Sequence, residues 1–105
     1  MPPSKDNQAQ VAYAREYMDR ALSTEKGIKV RFESEAQAIR CRADCYYARK
    51  LDRKASTLIL PPDDPQHGKS QYDLLRIGLS KTDGIWLIFE PKDLKPISAM
   101  EVVEL

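Results

Sequence analysis

The spacing of hydrophobic residues along the chain predicts helices in its first half and strands between and after them. Over residues 6–22 the apolar side chains recur every three or four positions, which is the period of a helix. Residues 28–32 alternate between apolar and polar, as a half-buried strand does. Residues 35–54 return to the helical period and contain neither glycine nor proline. Residues 57–60 favour a further short strand.

The second half of the chain predicts a β-hairpin. Residues 71–79 and 85–89 read as strands, and an Asp-Gly pair between them tolerates the positive backbone dihedrals of a tight turn. The proline-rich stretch 61–70 predicts a flexible loop. Residues 97–105 fit either an edge strand or a short helix, because their periodicity does not distinguish the two.

Together these elements predict the α+β fold class, with the helices on one face of a small, mainly antiparallel sheet. The expected order is N-terminal helix, strand, long helix, short strand and hairpin. A chain of 105 residues has room for one hydrophobic core, so residues 1–105 are expected to form a single compact domain. Residues 1–5 are polar and proline-containing, and we expect them to be disordered.

The long helix carries a clear start signal and two different apolar faces. Ser34 and Gln37 have the spacing of a capping box, which places the first helical residue near position 35. The stripe expected to face the core consists of Ala36, Ile39, Ala43, Tyr47 and Leu51. The opposite side carries a stripe of small residues, Ala38, Cys41, Cys45 and Ala48. This small-residue stripe fits packing against the first helix, and it also fits a homodimer interface.

The chain as a whole is nearly neutral, and its positive charge is concentrated on one predicted element. The formal net charge is +1, so no overall field draws the protein to nucleic acid or to anionic membranes. The long helix is nevertheless basic, with six cationic and three acidic side chains over residues 35–54. Arg42, Tyr46, Arg49 and Arg53 are spaced by four, three and four residues and form one ridge. Such a ridge also suits an ordinary solvated helix end, where cations offset the helix dipole.

Arginine forks pair with phosphate oxygens and tyrosine rings stack on bases, so the ridge indicates a small non-enzymatic accessory protein that binds nucleic acid, DNA or RNA. The predicted contact residues are Arg42, Tyr46, Arg49, Lys50, Arg53, Lys54, Lys29 and Arg31. The alternative is a protein-binding inhibitor or assembly factor of the kind that phages and mobile elements encode. It would dock through a mixed aromatic-cationic patch that unites Trp86, Tyr46 and the arginines.

Metal, cofactor and catalytic chemistry are not expected. Cys41 and Cys45 lie one helical turn apart and are expected to pack as small apolar side chains. His67 is the one histidine, which leaves too few ligands for a zinc site. The chain has no phosphate-binding glycine loop and no nucleophile motif, so we expect no enzyme. It shows no signal peptide and no membrane-spanning stretch, so a soluble cytoplasmic protein without a membrane partner is expected.

Overall fold

The computed structural model describes residues 4–92, which form two helices, a short 3₁₀-helix and three strands. The elements in chain order are α1 (Ser4–Leu22), β1 (Ile28–Phe32), α2 (Glu35–Ile59), the 3₁₀-helix (Gln71–Leu74), β2 (Leu75–Ser80) and β3 (Ile85–Pro91). This architecture confirms the predicted α+β fold class. None of the helices between residues 4 and 92 is long and apolar enough to cross a membrane.

The three strands form one antiparallel sheet in the order β1-β3-β2, so β3 is the central strand. The predicted hairpin is confirmed as β2 and β3, and its turn places Asp83 at a φ of 59° and Gly84 at 124°. On the other side of β3, Arg31 lies opposite Trp86 and Lys29 lies opposite Ile88. This register brings residues that are far apart in sequence onto one face of the sheet.

The core lies between the helices and the other face of the sheet. Its members are buried side chains from both helices, from the 3₁₀-helix and from β2 and β3, with Phe89 and Leu87 at the centre of the sheet. Gly27 lets the chain turn from α1 into β1 at a φ of 87°. A Cβ atom there would stand 2.0 Å from the Phe89 carbonyl oxygen, so no other residue fits without a shift of the backbone.

The predicted core face of α2 is wrong. Ala36, Ile39 and Ala43 are exposed, while Tyr47 and Leu51 pack at the margin of the core. The buried face is the small-residue stripe Ala38, Cys41, Cys45 and Ala48. Small side chains are needed there because α1 packs directly against α2. The stripe is therefore interior to the monomer and is not a surface for the predicted homodimer.

The short strand predicted at residues 57–60 is also wrong, because α2 continues to Ile59. The Ser56 and Thr57 hydroxyls donate to the Arg53 carbonyl oxygen, and the Leu60 amide donates to that of Ser56. Helical hydrogen bonding thus persists through a β-branched stretch and ends before Pro61.

Two smaller differences concern the start of β2 and the N-terminal residues. The strand predicted from residue 71 begins at Leu75, because Ser70 and Asp73 form a capping box that starts the 3₁₀-helix. The segment 1–5, expected to be disordered, contributes its residues 4 and 5 to α1. The flexibility expected of residues 61–70 stays a prediction, and the choice made for residues 97–105 lies outside the described residues.

Candidate nucleic-acid interface

The arginine ridge predicted on α2 is largely engaged within the protein. Arg53 forms an ion pair with Asp73, and its Nε–H donates to Oδ1 at 3.1 Å. The hydrogen bond to Asp73 raises the pKa of Arg53. Burial alone would raise the pKa of Asp73, but hydrogen bonds from Arg53 and the Ser70 amide outweigh burial and lower it. This pair ties α2 to the 3₁₀-helix.

Arg49 contacts both the Tyr46 ring and the sheet. The Arg49 guanidinium donates through Nη2 to the Leu75 carbonyl oxygen, where β2 begins. Its carbon Cζ lies 5.4 Å from the centroid of the Tyr46 ring. Burial lowers the pKa of Arg49, although an arginine keeps its charge at neutral pH. Half of the predicted ridge therefore stabilises the fold rather than facing solvent freely.

Four cations of α2 remain without an ion pair among residues 8–92: half-buried Arg42 and Arg49, and exposed Lys50 and Lys54. The acids of the helix are partnered. Glu35 pairs with Lys81 at 3.1 Å, Asp52 pairs with Arg15 at 2.9 Å, and Asp44 accepts from Tyr13 and Gln10. The helix surface thus keeps some positive charge, and Tyr46 beside it is 45% exposed with the Arg49 guanidinium near its ring.

A second positive surface lies on the outward face of the sheet, the face turned away from both helices. Strand alternation places eight side chains on it, because β1, β2 and β3 bury every second residue in the core. These are Lys29, Arg31, Arg76, Gly78, Ser80, Trp86, Ile88 and Glu90. No element within residues 4–92 packs on this face.

Trp86 lies on the central strand near the hairpin end of this face, where three neighbours hold it. Its Nε1–H donates to the Asp83 carbonyl oxygen at 3.2 Å, which anchors the indole to the hairpin turn. Lys29 Nζ lies 4.6 Å from the ring centroid, and Arg31 Cζ lies 5.8 Å from it. Both distances are within the range of cation–π attraction. The indole and the two cations therefore form one fixed group.

The β2 side of the outward face carries only small residues beside Trp86 and Ile88. Gly78 and Ser80 lie opposite Ile88 and Trp86 across the β2–β3 ladder. A Cβ atom at Gly78 would meet no heavy atom within 4 Å. Open space therefore borders the indole and Ile88 on this side, opposite the cations of β1.

The cations of the outward face are not neutralised by the described part of the chain. Lys29, Arg31 and Arg76 form no ion pair with any acid of residues 8–92. Glu90 is the one acid on the face and lies opposite Arg76, at the far end from Trp86. The strands place three positive charges against one negative charge on this face, and Glu33, just after β1, adds a carboxylate near its hairpin end.

The structure thus divides the predicted contact residues between two places. Lys29 and Arg31 join Trp86 on the outward face of the sheet, whereas Tyr46 and the other predicted residues lie on α2, which packs against the inner face. The single patch expected to unite Trp86 with Tyr46 is not assembled. Gly78, Ile88 and Arg76 were not predicted as site residues, although strand alternation already placed Ile88 beside Trp86.

No protein-family model, no curated protein and no solved structure matches this chain. Within residues 4–92, no group of three or more His, Cys, Asp or Glu side chains is placed to hold a metal ion. Function is therefore inferred from the geometry and charge of the two surfaces alone.

Proposed function

We propose that the protein is a non-enzymatic accessory protein that binds single-stranded nucleic acid on the outward face of its sheet. The observation that carries the proposal is the group of Trp86, Lys29 and Arg31, in which an indole is flanked by cations that have no acid partner within the described residues. The α2 ridge is not the site, because Arg49 and Arg53 already have partners within the protein.

The chemistry of the group matches the two parts of a nucleotide. Lysine and arginine attract phosphate oxygens, and arginine can hold them with two parallel hydrogen bonds. An indole stacks on a base, and stacking on an aromatic side chain contributes about 1–3 kcal/mol per base. A base that enters over Gly78 and Ser80 would reach the ring from the open side, with its phosphates near the β1 cations.

A single strand fits this face better than a duplex. Stacking on Trp86 requires a base whose face is free, and in a duplex both faces are covered by neighbouring base pairs. Duplex binding without base contacts depends on many phosphate contacts, whereas this face carries three cations in a protein of net charge +1. A small cationic site with one aromatic ring is the combination that unpaired strands need.

Trp86 gives the proposal a direct test, since it is the only tryptophan in the chain. Titration with short DNA and RNA oligomers is expected to quench its fluorescence, with a midpoint that moves to higher concentration as salt increases. Trp86→Ala is expected to weaken binding about 5- to 150-fold, measured by fluorescence of a labelled oligomer, because the stacking energy is lost.

The matched control is Trp86→Phe, which keeps an aromatic face and should retain most of the affinity. Thermal unfolding of both variants shows whether the fold persists. Oligomer binding that is equally tight in wild type and Trp86→Ala would reject the outward face as the site.

A second candidate is the protein-binding inhibitor or assembly factor, and one observation favours it. Leu58 and Ile59, adjacent on the last turn of α2, are each 77% exposed. Apolar side chains so exposed are typical of contact surfaces when they cluster. This function predicts that, in nuclease-treated samples, the Leu58→Lys/Ile59→Lys variant no longer binds its protein partner. The Lys29→Ala/Arg31→Ala variant should still bind it.

A further inference from the structure

A groove of about 480 Å³ opens at the hairpin end of the sheet, next to the group of Trp86, Lys29 and Arg31. It is lined by Arg31, Phe32, Glu33, Gly84 and Ile85. Its volume is within the range of small-ligand sites, roughly 300–1,000 Å³. The lining includes one arginine and one glutamate, which Phe32 separates in the sequence at the end of β1.

Local structure keeps the groove open and its arginine in place. Gly84 has a φ of 124°, and a Cβ atom there would stand 3.2 Å from Arg31 Nε and 3.1 Å from Trp86 Nε1. A glycine is therefore needed where the turn passes these two side chains. At the other end, the Glu33 amide donates to the Gln37 side chain at 3.2 Å, which fixes the backbone that carries the carboxylate. The Lys81–Glu35 ion pair joins the hairpin to the start of α2 nearby.

We propose that this groove binds a guanine base. Guanine presents two acceptors, N7 and O6, which match the paired N–H donors of an arginine. On its Watson–Crick edge it presents two N–H donors, N1–H and the N2 amino group, which match the two oxygens of a carboxylate. Among the four bases, guanine has both of these patterns on adjoining edges. Arg31 and Glu33 supply the complementary pair, and Phe32 and Ile85 supply apolar contact.

This inference rests on the proposed function in one respect, since it takes the guanine to be part of a strand that also stacks on Trp86. A free guanine nucleotide would present the same chemistry. The two sources are separated by comparing guanosine monophosphate with oligomers.

The experiment measures binding of short thymidine oligomers that carry one central guanine, adenine, cytosine or thymine, by fluorescence of a label on the oligomer. We expect the guanine oligomer to bind about 5- to 100-fold more tightly than the others, since one bidentate contact discriminates between bases by about that factor. Glu33→Gln is expected to reduce this preference to what the Arg31 contact alone supplies, and to leave the affinity for the all-thymine oligomer unchanged or slightly raised.

The control variant is Glu90→Gln, which removes the same charge from the outward face but lies outside the groove. It should raise the affinity for every oligomer and keep the preference for guanine. Both glutamates are exposed, so neither change is expected to unfold the protein, and the thermal unfolding midpoint checks this.

The outcomes separate the two proposals. Salt-sensitive binding without any preference for guanine overturns this inference and leaves the proposed function in place. Binding of guanosine monophosphate that depends on Glu33, without binding of any oligomer, supports the groove and rejects the nucleic-acid function. A preference for guanine that is undiminished in Glu33→Gln also overturns the inference, and so does the absence of binding by any of these ligands.

Discussion

Contacts with several elements fix the orientation of the Trp86 side chain. Its indole N–H is fixed by the turn, its ring faces two cations of β1, and its open side borders a glycine of β2. Each neighbour comes from a different part of the chain. The stacking surface is therefore preorganised, which reduces the conformational entropy lost when a ligand binds.

Substitution of Gly78 is expected to change ligand binding without reducing the stability of the fold. Valine favours strands more than glycine does, and a Cβ at this position meets open space, so Gly78→Val should leave the free energy of unfolding unchanged or raise it by up to about 1 kcal/mol. Its isopropyl group would occupy the space beside Trp86 and is expected to weaken oligomer binding several-fold. Gly78→Ala should have an intermediate effect. Unchanged oligomer binding by Gly78→Val would show that the ligand does not pass over β2.

The lowered pKa of Asp73 predicts how the stability of the fold changes at acidic pH. Because Arg53 and the Ser70 amide lower the pKa of this carboxyl in the folded protein, the unfolded chain takes up the proton first as the pH falls. The stabilisation is complete above the unfolded pKa of about 3.9 and is lost as the pH falls through the lower, folded pKa. We expect Asp73→Asn to be less stable by about 1 kcal/mol at neutral pH and to differ less from wild type in acid.

Denaturant titrations at a series of pH values measure this difference. A constant gap between Asp73→Asn and wild type from neutral to strongly acidic pH would contradict the role assigned to the carboxylate.

At the scale of elements, α2 shows which predictions from the sequence the structure confirms and which it corrects. Ser34 caps the helix as predicted, with the Gln37 amide donating to its hydroxyl at 3.2 Å. The buried face was misassigned because Ile39 favours burial by itself, whereas the narrow space between α1 and α2 admits only small side chains. That space depends on how two helices approach each other, which hydrophobic periodicity within one helix does not specify.

The predicted basic ridge is partly engaged within the protein for a related reason. Arg53 and Asp73 are 20 residues apart, and their pairing depends on the position of the 3₁₀-helix against α2. Lys29, Arg31 and Trp86 could be assigned to one side of their strands from alternation alone. Their meeting depends on β1 pairing with β3, a long-range contact that the local pattern does not encode.

The cysteines of α2 test the packing of the two helices. Cys41 and Cys45 are 1% and 0% exposed, and hydrogen bonding to Cys41 together with burial raises the pKa of the Cys45 thiol. We expect both thiols to react with a thiol reagent only on unfolding, at least 100-fold more slowly than an exposed thiol, because opening of the core must precede the reaction.

Ser23→Cys, at an exposed position just after α1, supplies the fast-reacting comparison. Rapid labelling of Cys41 or Cys45 in the native protein would contradict the close packing of α1 on α2 and would restore the small-residue stripe as a possible surface.

At the scale of the whole molecule, the sheet separates the core from the face that we propose binds nucleic acid. The inner face and both helices form the core, and the arginines of α2 tie the helix to β2 and to the 3₁₀-helix. The outward face contributes little to the core and carries cations without partners in the described chain. A near-neutral protein can bind a polyanion when its few unpaired cations are concentrated on one face.

The measurement that tests this division most directly compares two double variants that remove equal charge. Lys29→Ala/Arg31→Ala alters the outward face, and Arg42→Ala/Lys50→Ala alters α2. Single-strand affinity is measured for both variants and wild type over a range of salt concentrations. With an all-thymine oligomer, in which no guanine occupies Arg31, we expect the sheet variant to bind at least about tenfold more weakly. Its salt slope should be shallower by about 1.4, since each lost phosphate contact removes about 0.7 from it. The helix variant should match wild type, and the reverse result would contradict the account.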